Sequence, residues 1–161
     1  MTALSEAVAL REQGRLEEAR TALRSLIDME PDNPEVWYHY AWVHDMMELE
    51  REAVPYYEKA LRLGLAGEAR QGAMLGLGST LRTLGRYEQA REVLEAAIEA
   101  YPDRRGFQAF YAMVLYNLKE HAASMQILLH LVAETSGDEG ILAYRKAIGF
   151  YADKLDRIWE T

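Results

Sequence analysis

The segment Gly14-Arg15-Leu16-Glu17-Glu18-Ala19-Arg20 returns 71 residues later as Gly85-Arg86-Tyr87-Glu88-Gln89-Ala90-Arg91. Pro31-Asp32 and Pro102-Asp103 share that offset. A spacing this long holds two periods of a short repeat, so an intermediate copy should lie inside it. Glu52-Ala53-Val54 supplies one: Ala53 follows Ala19 by 34 residues and precedes Ala90 by 37. A further step of 34 from Ala90 reaches Ser124, within Ala122-Ala123-Ser124-Met125. The three surplus residues of the middle step fall near Gly64-Leu65-Ala66-Gly67, where a looser connection is expected. The chain therefore reads as a single domain of four units, about 1–33, 34–67, 71–104 and 105–137.

Each unit reads as two short helices. In the second, Asn33 is placed to cap a helix, with Pro34 at the first helical position and Glu35 behind it. Trp37, Tyr40, Ala41 and His44 then fall on one helical face, and Ala53, Tyr57, Ala60 and Leu61 form a stripe on the partner helix. The third unit repeats the pattern with Met74, Leu77, Gly78 and Leu81, then Ala90, Leu94, Ala97 and Ile98. Small residues at Ala41, Gly78, Ala112, Ala53 and Ala90 let neighbouring helices approach closely. Residues 138–160 leave the repeat and are expected to form one long amphipathic capping helix. Its apolar side carries Tyr144, Ala147, Ile148, Tyr151, Leu155 and Ile158. A stack of repeats needs such a terminal element to stay soluble.

Composition narrows the chemistry. The chain has no cysteine, which removes disulfides and thiolate metal sites. His39 and His44 point in different directions on a helix, and His121 and His130 fit no zinc-binding spacing, so no metal or other cofactor is expected. The net charge of −8 opposes phosphate backbones, and Arg104-Arg105 is too short for a basic stripe, so nucleic-acid binding is not expected. No stretch is long and apolar enough to span a membrane, and the first residues lack the pattern of a secretion signal. A cytoplasmic protein is the expectation. Gly76-x-Gly78 lies inside a helix with no preceding strand, so it is not a phosphate loop. Ser79 has no histidine placed to act as its base, and no enzyme is expected.

Trp37-x2-Tyr40-Ala41-x2-His44 with Ala53-x3-Tyr57, and Met74-x2-Leu77-Gly78-x2-Leu81 with Ala90-x3-Leu94 and Pro102, resemble the tetratricopeptide signature. The first unit matches in Ala19-x3-Leu23 and Pro31, and the fourth departs most, with Ser124 where alanine is usual. The likeness covers residues 1–136 and extends to small stand-alone bacterial proteins built of such repeats. It implies an all-α, right-handed α-α superhelix of about four helix pairs closed by the capping helix. It also implies that the first helix of each unit lines a concave groove.

Carried onto this sequence, the family's groove positions fall on Tyr38, His39, Trp42, Asp45 and Met46, then on Gly72, Gly76, Ser79, Arg82 and Thr83. In the fourth unit they fall on Ala109, Phe110, Met113, Tyr116 and Asn117. Tyr38, Trp42 and Met46 are expected to form a ligand-facing wall. Gly72 and Gly76 serve either close packing or a hollow for a partner. The cationic clamp of some family members is missing at Leu4, Val8, His39, Gly72 and Gly76. The implied function is an adaptor or scaffold holding a peptide or helix of another protein. The alternatives are a structural homodimer through the groove and capping helix, or a dedicated chaperone for one protein substrate.

Overall fold

The computed structural model describes residues 1–160, and every regular element among them is a helix. In chain order these are α1 (Ala3–Glu12), α2 (Leu16–Met29), α3 (Pro34–Met46), α4 (Glu50–Arg62), α5 (Gly67–Thr83), α6 (Tyr87–Ala100), α7 (Gly106–Asn117), α8 (His121–Thr135), α9 (Glu139–Ala143) and α10 (Arg145–Tyr151). Two compact units divide the chain, Met1–Val93 and the remainder from Leu94, with the boundary inside α6.

The turns carry the repeat as plainly as the core does. Gly14, Glu48, Gly85 and Lys119 all adopt positive φ, between 59° and 77°. In each case the next residue's N–H reaches back to a carbonyl five positions earlier: Arg15 to Leu10, Leu49 to His44, Arg86 to Leu81 and Glu120 to Leu115. This is a left-handed helix end that satisfies carbonyls the helix leaves open. Two of the four positions use glycine, which adopts this conformation without a steric penalty. Glu48 and Lys119 carry a side chain there.

The three-residue slip is resolved differently from the sequence expectation. The connection from α4 to α5 is tight: Gly64 ends α4 with φ of 87°, the Leu65 N–H bonds the Ala60 carbonyl, and Leu65 is buried. The surplus goes into α5, which at 17 residues outlasts the 13 of α3.

In the first unit α2 packs on α1 and α3, α4 on α3 and α5, and α3 also touches α1 and α5. The core gathers Ala7, Ala19, Leu23, Leu26, Ile27, Val36, Tyr40 and Val43. Asn33 caps α3 by accepting from the Glu35 N–H, with Pro34 leading the helix. His44 is a packing residue: its Nδ1 lies 2.7 Å from the Tyr40 carbonyl, and its ring meets those of Tyr40 and Tyr56. In the second unit α7 packs on α8 around Phe107, Ala112, Val114 and Leu115. Serine fits at position 124 because its hydroxyl donates to the Ala112 carbonyl at 2.7 Å across that contact.

The single long helix expected over 138–160 does not form. Asp138 caps α9, which ends after five residues at Tyr144 (φ −111°, ψ 12°), and α10 ends at Tyr151. Gly140 and Gly149 weaken helix over this stretch, and α9 and α10 both touch α8. Much of the stripe predicted to be apolar and covered stays exposed, Tyr144 at 68% and Ile158 at 84%.

Candidate functional site

The face of α3 turned away from the core gathers the most chemistry in the first unit. Val36, Tyr40 and Val43 are buried on one side of α3, which leaves Tyr38, His39, Trp42, Asp45 and Met46 on the other. The flanking helices α1 and α5 border this face.

Its floor is built from the protein's own aromatic rings. A Cβ built on Gly72 would fall 2.2 Å from the Tyr38 hydroxyl, and one on Gly76 would fall 2.7 Å from the Tyr57 ring. The glycines of α5 are therefore absent side chains that make room for tyrosines of α3 and α4. The space they open is filled. Tyr38 lies beneath the surface rather than on it, at 7% exposure, with its ring beside that of Tyr57.

Above the floor the face is polar at both edges. Asp45 accepts from the Tyr57 hydroxyl at 3.1 Å, and the Thr80 hydroxyl lies 3.0 Å from both carboxylate oxygens. Thr80 has one hydroxyl proton and also sits 2.6 Å from the Gly76 carbonyl, so the two acceptors compete for it. Burial raises the Asp45 carboxyl above its ordinary range, and the two hydroxyls draw it partly back. Burial also raises the Tyr57 phenol, with the Asp45 charge adding to the effect.

At the other edge Arg11 reaches over from α1. Its guanidinium carbon lies 3.6 Å from the centre of the Trp42 ring, and its Nη1 is 2.8 Å from His39 Nδ1. A guanidinium only donates, so Nδ1 accepts and the ring proton belongs on Nε2. Burial, and then the Arg11 charge, push the His39 pKa down to about 4. The His39 and Trp42 rings are nearly parallel, 11° apart. Trp42 remains 37% exposed and Met46 45%.

The remaining sequence-derived candidates divide between the units. On α5, Ser79 and Arg82 are half-buried and Thr83 is exposed, its hydroxyl donating to the Ser79 carbonyl. On α7 of the second unit, Phe110 and Asn117 are half-buried, while Met113 and Tyr116 are exposed, the latter with its ring against His121. Three contributors to the first-unit face were not among the sequence candidates: Arg11, Tyr57 and Thr80. For Arg11 the signal existed. It precedes Asp45 by 34 residues, and Asp45 precedes Arg82 by 37, so all three hold one repeat position. Among the described residues no group of three His, Cys, Asp or Glu side chains is placed to hold a metal.

A family model for the tetratricopeptide repeat matches residues 34–155, and a second matches residues 3–43. The chain belongs to the tetratricopeptide repeat family. MamA from Desulfovibrio magneticus RS-1, residues 41 to the end, is similar over 93% of this chain and 86% of its own, at 21% identity and a TM-score of 0.71. The MamA RS-1 ArsTM double mutant gives 17% identity and 0.69 over 94% and 93%. YrrB, described as a tetratricopeptide repeat protein with an unusual peptide-binding site, gives 19% and 0.66 over 97% and 91%. These likenesses establish the fold, an all-α solenoid of tetratricopeptide helix pairs. No curated protein matches the chain. No helix among the described residues is long and apolar enough to cross a membrane.

Proposed function

We propose that this tetratricopeptide repeat protein is an interaction scaffold that holds a peptide or helix of another protein against α3. The exposed pair Trp42 and Met46 carries the reading, since the two lie one helical turn apart on the face left free by the core. Tryptophan concentrates binding energy at interfaces, and methionine adapts to varied apolar partners. Tyr38 and Tyr57 fill the floor, so a ligand rests on the rim rather than entering a cavity. Family members are generally non-catalytic adaptors, and this face gathers binding groups rather than a nucleophile with its base.

The test is a pull-down from the native host with wild type against the Trp42→Ala, Met46→Ala double variant. Both sites are surface-exposed, so helical content should be kept while the captured partner is lost. A partner retained at wild-type level by the folded double variant refutes the assignment.

Self-association is a second reading, supported by the exposed Phe150, Tyr151, Leu155, Ile158 and Trp159, three of whose rings contact one another. A monomer by light scattering at tens of micromolar excludes it.

A further inference from the structure

Arg11 is a buried cation that lacks a close anion. Its side chain is 6% exposed, and its nearest carboxylate, Glu12 Oε1, stands 3.7 Å away on a side chain itself 67% exposed. That separation exceeds a hydrogen bond. Among the described residues the guanidinium's one hydrogen bond goes to neutral His39, and its face is spent on Trp42. Burial lowers the guanidinium pKa, as expected of a charge taken from water without full compensation. The guanidinium lies against the Trp42 ring, which is itself 37% exposed.

We infer that Arg11 and Trp42 together read an acidic side chain set next to an apolar one in the bound segment. The apolar group packs on Trp42 and Met46, and the carboxylate takes the free edge of the guanidinium. The inference rests on the proposed α3 docking face and names the chemistry of its occupant. The geometry suits a carboxylate for two reasons. A guanidinium whose plane is fixed by stacking presents its N–H groups in a fork that matches two carboxylate oxygens. The site also already holds the cation desolvated, so an arriving anion meets a charge that water screens poorly. His39 cannot supply the counter-charge, because it is never anionic, and above about pH 4 it is neutral.

The experiment uses a random dodecapeptide library panned on the full chain, followed by affinities of a selected peptide and its acid-to-amide twin. Selected peptides should carry Asp or Glu within one turn of an aromatic or aliphatic residue. The acid form should bind wild type at least about tenfold tighter than the amide, as a charge-assisted hydrogen bond implies. Arg11→Met should erase that difference, and Arg11→Lys should restore part of it, with circular dichroism confirming that both variants fold. If the amide twin binds wild type equally well while Trp42→Ala still abolishes binding, the carboxylate inference fails and the docking face stands. If binding survives Trp42→Ala, or the library yields no binder, the docking face fails and the inference with it.

Discussion

Replacing Gly76 with alanine sets two effects against each other at one residue. In a helix interior alanine is favoured over glycine by about 1 kcal/mol. Here the new Cβ would stand 2.7 Å from Tyr57 Cζ and Oη, and 2.9 Å from Cε1. Real Cβ atoms do not approach that closely, so the ring must move. It has little freedom to do so: Tyr57 is 2% exposed, and its hydroxyl is committed to Asp45. Overpacking of this kind costs roughly 1–3 kcal/mol, and loosening a hydrogen bond to a charged group about 1.5–3 kcal/mol. The clash wins. The net expectation is a loss of about 1–3 kcal/mol, which lowers the melting temperature by roughly 2–10 °C in a chain of this size. Thermal and urea unfolding followed by far-UV circular dichroism measure it. Gly149→Ala is the matched control, because a Cβ there meets nothing within 4 Å and the residue lies in α10. It should gain up to about 1 kcal/mol, so the two glycines should respond with opposite signs. In a Tyr57→Leu background the Gly76→Ala penalty should shrink or vanish. Equal stabilisation by both alanines would refute the claim that Tyr57 is packed on the bare backbone of α5.

Glu48 and Lys119 hold left-handed conformations that glycine adopts more easily, so Glu48→Gly and Lys119→Gly should each raise stability by about 0.5–1 kcal/mol. A fall in urea midpoint for both would refute the turn geometry. His39 is held below its ordinary 6.5, at about 4, so the unfolded chain binds a proton there that the folded chain does not. Its contribution is therefore complete above pH 6.5 and is lost as pH falls through that value towards 4, by at most about 3.4 kcal/mol before solvent screening. Asp45, raised by burial, works in the opposite sense, so the measurement is the difference between wild type and His39→Gln. That difference should change between pH 6.5 and 4 and stay flat above 7. Ala53→Arg places a charge at a fully buried α4 position and should cost about 3–5 kcal/mol, visible as lost helicity.

The helix pairs were legible because the signals that set them are local. Ala19, Ala53, Ala90 and Ser124 recur at one position, three of them completely buried and the serine nearly so, and that recurrence is written in the sequence. Gly14 and Gly85 announce their turns for the same reason. Glu48 and Lys119 do not, since nothing in an acidic or basic residue marks a left-handed conformation; only the register imposes it. The closing segment misled for a related reason. Its apolar spacing satisfies a helix, but spacing cannot show whether a surface exists to cover the stripe, and Tyr144 and Ile158 find none.

The proposed binding face was the least legible part because its groups come from separate helices. Arginine usually reads as a solvated charge, and Arg11 becomes something else only when α1 meets α3 closely enough to lay it on Trp42. Tyr57 belongs to the second helix of its unit, whose residues the family pattern assigns to packing, yet its hydroxyl reaches Asp45 on the first. Gly72 and Gly76 supply the connection. By omitting side chains they let two tyrosines occupy what would otherwise be a hollow, so the face is shaped from within. A surface floored in this way loses little conformational freedom on binding. In the proposed binding, discrimination among ligands falls to the groups at its rim: Trp42 and Met46 for apolar contact, and Arg11 for charge.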